Sequence, residues 1–177
     1  MDVIWAMESD KAPGLDGFSF HFYRVCWSII KSDLFRILKS FQKKAKVGGY
    51  TNSTFLTLIA KELNPSSFDR FRPISLCNAS YKILAKLLAN RFKLLLGKLI
   101  SPLRGGFVKG RHLVDNVIQV QEALHSSLQR KDKGMLIKLD MKNAFDRVNL
   151  SFLYDVLLTF GFSPEFANLI KACMDRP

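Results

Sequence analysis

Acidic residues are scarce in this chain. Its 177 residues hold 15 Asp and Glu against 27 Lys and Arg, a formal charge of +12, and the pI is near 9.8. Such an excess points to an anionic polymer as partner, with solubility as the plainer explanation. The scarcity is uneven. No acid stands between Asp69 and Asp115, an interval that holds Arg70, Arg72, Lys82, Lys86, Arg91, Lys93, Lys98, Arg104, Lys109 and Arg111. A solvated surface normally mixes both signs. A long run of one sign is better explained as a face that meets phosphates, where each contact releases counterions.

Cysteine and histidine are scarce too. Cys26, Cys77 and Cys173 are too far apart for a zinc ribbon or a CxxC redox motif, and their number is odd for a disulfide framework. They are expected to be reduced, buried thiols of an intracellular protein. His21, His112 and His125 show no metal-ligand spacing, so structural roles are expected. No apolar run approaches the roughly 20 residues needed to span a bilayer, which argues against a membrane partner. The start, MDVIWAMESD, lacks the basic-then-apolar order of a signal peptide. Internal repeats and low-complexity linkers are also missing.

What is present is a folding composition, 48% hydrophobic and 12% aromatic, in a chain long enough for one domain or two small lobes. Lys11 to Phe18 is a turn-rich loop punctuated by Pro13 and Gly14. Trp27, Ile30, Leu34, Leu38 and Phe41 recur at helical spacing, and Gly48-Gly49 is expected to end that helix. Thr54 to Ile59 predicts a strand, and Phe71 to Leu76 a second extended segment, placed at a sheet edge by Pro73. Ser80 is expected to cap a long helix with an apolar face from Ile83 to Leu99 and with Lys82, Lys86 and Lys93 on the other side. Val114 to Leu128 predicts another helix, with Asp115 at the favourable end of its dipole. Met135 to Leu139 predicts a buried strand. Asn149 to Phe160 predicts a helix closed by Gly161, and Ser163-Pro164-Glu165 opens the last one.

Chemistry concentrates in the stretch from Ile137 to Val148. A short apolar run ends on Asp140, and Asp146 follows beyond a turn. A buried acid at a strand end needs a partner, and a metal ion, an arginine or backbone donors could each serve. Asp146 is expected to shape the turn by hydrogen bonding. One carboxylate alone does not make a two-metal site, which needs several oxygen ligands. Because no second carboxylate motif precedes Pro177, a truncated enzyme is expected.

Four motifs in order carry a resemblance. They are Lys11 to Phe18, then Phe71-Arg72-Pro73-Ile74-Ser75-Leu76 with Tyr81 to Lys86, then Gly106-Phe107-Val108-Lys109-Gly110-Arg111, and finally Asp140 to Val148. The chain resembles the N-terminal part of a reverse transcriptase of plant non-LTR (LINE-type) retrotransposons. The resemblance implies an α+β right-hand polymerase fragment, helix-rich with short antiparallel strands. Residues 1–132 would be fingers, and 133–177 a partial palm carrying the first catalytic strand. It implies RNA-directed DNA synthesis by two-metal nucleotidyl transfer, with Mg2+ held by the Asp140 carboxylate and the Met141 carbonyl. It implies a triphosphate clamp at Arg72, an aromatic gate against the sugar 2′-hydroxyl at Phe145, with Met141 beside the nucleotide, and nucleic-acid contacts at Lys82, Lys86, Arg91, Lys109 and Arg111. Partners would be an RNA template and DNA primer, or single-stranded nucleic acid, and the compartment the nucleus. Leu15, Ala60, Arg104 and Asn143 depart from the usual family residues, Pro, Pro, Gln and Lys. The paired-aspartate motif that completes the family's metal site does not follow, so the chain is expected to be inactive alone. A noncatalytic nucleic-acid-binding remnant is the alternative.

Overall fold

The computed structural model describes residues 2–108, 110–131, 133–141 and 144–175. A single-turn helix, α1 (Asp2–Trp5), leads through the loop of residues 6–19 to α2 (Phe20–Val25) and α3 (Trp27–Lys44). A second single-turn helix, α4 (Gly49–Asn52), precedes a two-stranded antiparallel ribbon of β1 (Thr54–Ala60) and β2 (Phe71–Cys77). Then follow α5 (Ala79–Leu99), α6 (Leu113–Arg130), a 3-10 turn at Ala144–Arg147, α7 (Leu150–Thr159) and α8 (Pro164–Met174). The α+β, helix-rich expectation holds at that level.

By contacts the chain divides into two units. One comprises Met1–Ala89 with Tyr154–Pro177, and the other Asn90–Leu153. The first unit has two apolar clusters. Ile4, Phe20, Leu34, Ala79 and Ile83 form one, and Phe41, Val47, Leu84, Leu88 and Leu169 the other. Residues of α3 and α5 serve both, because helical spacing puts Leu34, Leu38 and Phe41 on one stripe and Ile83, Leu84 and Leu88 on another. The last helix, α8, contributes Leu169, Phe166 and Ile170 to the second cluster. Its start follows the sequence signal. Ser163 Oγ accepts from the Phe166 N–H at 3.3 Å, and Pro164 occupies the first turn. α7 is closed by a Schellman pair: the Phe162 N–H donates to Leu157 O at 3.1 Å and the Gly161 N–H to Leu158 O at 2.9 Å, with Gly161 left-handed at φ 85°.

The second unit is the more open. α6 has no buried residue, although its start is fixed by Asp115 Oδ2, which accepts the His112 N–H at 3.2 Å. Arg111 ties the loop before α6 to the end of α5, as described below.

Four local expectations are corrected. α3 ends at Lys44 rather than at Gly48-Gly49. Ala45 takes the left-handed conformation (φ 46°) and donates its N–H to Phe41 O at 2.8 Å, so the stop comes before any glycine. Ser80 lies inside α5, and it is Asn78 that precedes the helix. The apolar face of α5 is buried only as far as Leu88: Phe92, Leu96 and Leu99 are half-buried, and Leu95 is exposed. Lastly, Met135 to Leu139 is neither a strand nor buried. The segment has no regular structure, and Leu139 is 87% exposed. A strand exists only beside a partner that takes its N–H and C=O groups, and among the described residues the ladder is confined to β1 and β2.

Candidate nucleic-acid interface and catalytic turn

The Lys11 to Phe18 loop packs directly on the junction of β2 and α5. A β-carbon on Gly14 would lie 2.5 Å from the Asn78 nitrogen and from the Cys77 carbonyl carbon, and closer still to Asn78 Oδ1. Only glycine permits that approach. Asn78, fully buried, then serves both sides. Its Oδ1 accepts the Asp16 N–H at 3.1 Å, and its Nδ2 donates to Tyr50 O at 2.8 Å. Lys82, one turn into α5, donates to Ala12 O at 3.1 Å. The first motif thus braces the start of α5. Its neighbour Tyr23 has its phenol pKa raised, first by burial and then by the Asp16 carboxylate. Asn78 was missed in the sequence, although an Asn just ahead of an apolar helical stripe is itself a helix-start signal.

Arg72 lies on β2 opposite Ile59. Alternation puts it on one face of the ribbon with Phe55, Thr57, Ile74 and Leu76. It is exposed, and among the described residues it makes no ion pair or side-chain hydrogen bond. Pro73 is tolerated because a two-stranded ribbon has only edge strands. Lys86 is half-buried, whereas Arg91 and Lys93 are exposed further along α5. Lys82, Lys86 and Lys93 share one side of that helix by spacing, and Arg91 lies about half a turn round from them.

Arg111 has a different setting. Its guanidinium donates to Arg104 O and Ile100 O at 2.9 Å, and also to Ser101 O and Gly97 O. A cation at the carbonyl end of a helix is favourable, and the five-donor fork suits several acceptors at once. The third motif therefore ends by closing α5. Lys109 and Asn143 lie outside the described residues.

The turn after Asp140 carries Met141, exposed like Asp140 itself, and Phe145, which is 80% exposed. Phe145 does not stand alone. Phe107 of the third motif meets it edge-on, centroids 6.1 Å apart and planes at 82°, a favoured aromatic geometry. Phe107 holds a left-handed backbone (φ 64°), unusual for a bulky residue. The third and fourth motifs are thus joined through two exposed rings.

The magnesium pair implied by the resemblance finds few donors here. Among the described residues no three His, Cys, Asp or Glu side chains converge on a common point. One exposed carboxylate at Asp140 and a main-chain carbonyl at Met141 fall short of the oxygen set that a hard divalent cation requires. The described residues do not make a metal site by themselves.

No described helix is long and apolar enough to cross a membrane. Residues 59–176 match the family "Reverse transcriptase (RNA-dependent DNA polymerase)", a span that includes Arg72, α5, the Gly106 to Arg111 loop and Asp140. The chain is 32% identical over 165 residues to the "Transposon TX1 uncharacterized 149 kDa protein" of Xenopus laevis, an alignment covering 93% of this chain and 13% of that protein. The chain belongs to the reverse transcriptase family.

Proposed function

We propose that the chain is the fingers and the beginning of the palm of a non-LTR retroelement reverse transcriptase, and that alone it binds nucleic acid without polymerising. The family match from residue 59 to residue 176 carries this reading, because the span contains three of the four motifs in family order. In it, residues 1–132 correspond to fingers and 133–177 to the opening of the palm. The plant lineage within that group gains nothing from an amphibian relative. Nuclear residence rests on the resemblance alone.

In this reading Arg72 holds the incoming triphosphate. Its exposure and uncommitted guanidinium support the role, since a planar fork bonds two phosphate oxygens at once. Phe145 stands against the sugar, and its ring discriminates by steric overlap. Lys86 and Lys93, on one side of α5, and Arg91, on the other, meet nucleic-acid phosphates without reading bases. Lys82 and Arg111 also belong to the proposed contact set, although their donors hold main-chain carbonyls in this structure. Lys109 is retained on its place in the third motif. Asp140 and the Met141 carbonyl would supply two oxygen ligands toward a divalent metal, fewer than such a cation requires, so further ligands would have to complete the site.

The test is binding of the full chain to a labelled single-stranded RNA across a salt series. Replacing Lys86, Arg91 and Lys93 together by Gln is expected to weaken binding and reduce the salt slope by about 2, at about 0.7 per phosphate contact on a single strand. A slope unchanged from wild type would assign these three side chains to solvent.

A further inference from the structure

A second basic surface lies in the first unit, away in sequence from the acid-free interval at 70–114. A cleft of about 680 Å3 opens where the end of α3, α4 and the outer side of α8 meet, with Lys44, Lys46, Lys171, Asn52, Asn168 and Asp175 around it. Val47, which lines it, belongs to the buried cluster that includes Phe41 and Leu169, so this wall has a firm support. Ala45 turns left-handed between Lys44 and Lys46. Asn52 Nδ2 donates to Asp175 O at 3.4 Å, which ties α4 to the end of α8.

Three cations face one carboxylate in this cleft. Among the described residues neither Lys44 nor Lys46 forms an ion pair or a side-chain hydrogen bond, and Lys171 lies 5.9 Å from the centroid of the Tyr154 ring rather than on an oxygen. Among the described residues the Lys44 and Lys46 donors are uncommitted, and the Lys171 ammonium is engaged only by that ring. The sequence around them repeats the earlier pattern: no acid stands between Asp33 and Glu62, an interval that holds Arg36, Lys39, Lys43, Lys44, Lys46 and Lys61. Unopposed like charges gathered on a concave surface raise a positive potential there, and low-dielectric walls focus it.

We propose that this cleft is a further nucleic-acid site, one that holds the sugar-phosphate backbone of a single strand. Lysines on flexible stems act as point charges and accept phosphates in many orientations, so the contact is independent of base sequence. The Asn52 and Asn168 amides add neutral donors for phosphate or sugar oxygens. Concavity favours a strand over a lipid surface, because a strand enters a cleft and a flat bilayer does not. The inference rests on the proposed nucleic-acid function and adds to it a surface outside the motifs that resemble the family.

The experiment uses the full chain and a fluorescein-labelled 20-nucleotide RNA, read by anisotropy between 50 and 200 mM KCl. Lys44→Gln, Lys46→Gln and Lys171→Gln combined are expected to lower affinity at least tenfold at 100 mM and to cut the salt slope by about 2. The corresponding Arg triple is expected to keep both. Lysine acetylation of the wild-type chain, mapped by mass spectrometry, supplies a readout that needs no variant: bound RNA is expected to protect Lys44, Lys46 and Lys171. Unprotected lysines, or a Gln triple that binds like wild type, would overturn the site. If the Lys86, Arg91 and Lys93 variant is weakened while the cleft triple is not, the cleft alone fails. If wild type shows no salt-dependent binding, both readings fail together.

Discussion

Replacing Asn78 by Ala removes a side chain that joins three segments. The residue is fully buried, accepts from the Asp16 N–H at 3.1 Å and donates to Tyr50 O at 2.8 Å. Alanine leaves both main-chain groups without that partner. An unsatisfied buried donor or acceptor costs about 1–3 kcal/mol. Both bonds are part-buried, so water recovers some of the loss, and we expect a destabilisation of about 3 kcal/mol. Against a typical domain stability of about 5–15 kcal/mol this is a large fraction. Urea unfolding followed by circular dichroism measures it, and thermal melting should drop by about 6–12 °C for a chain of this size. The Asp16 amide should also exchange faster in the variant. A midpoint within about 0.5 kcal/mol of wild type, the range of an ordinary surface substitution, would refute the bracing role given to Asn78.

Two further outcomes concern packing and burial. Gly14→Ala forces main-chain atoms apart at the β2–α5 junction and should cost about 1–3 kcal/mol, as overpacking does; Gly97→Ala, where an added β-carbon meets nothing within 4 Å, should gain up to about 1 kcal/mol in α5. Equal effects at the two glycines in urea melts would contradict the close approach at Gly14. Burial pushes the Cys173 thiol up to about 11, so at pH 8 it is almost wholly protonated, and its thiolate appears only as pH rises toward that value. Iodoacetamide at pH 8 should therefore label Cys173 much more slowly in the folded chain than in the urea-unfolded chain, and equal rates by mass spectrometry would show that the thiol is not held in that environment.

Where local chemistry decides, the sequence was legible. The Ser163-Pro164 start, the Gly161 stop and the β1 and β2 segments each follow from a cap, a left-handed glycine or β-branched composition acting within a few residues. The errors lie where a distant partner decides. Met135 to Leu139 has strand composition, but no described segment pairs with it. Leu95 continues the α5 stripe, but its surroundings leave it exposed. Among the candidate site residues, Arg72 is exposed, and Asp140, expected as a buried acid at a strand end, is exposed on a segment without regular structure. Arg111 is a different case: the resemblance marked it as a nucleic-acid contact, whereas its position after α5 gives its guanidinium four main-chain carbonyls. The Phe107–Phe145 contact joins residues far apart in sequence, and nothing in the local pattern announces it.

Primer extension by the purified full chain on an RNA template, with magnesium or manganese and all four deoxynucleotides, is to be measured alongside binding of the same primer–template. Under the proposed function we expect salt-dependent binding and no extension product, since Asp140 and the Met141 carbonyl alone supply too few oxygen ligands for two metals. Extension by wild type that disappears with Asp140→Asn would contradict it.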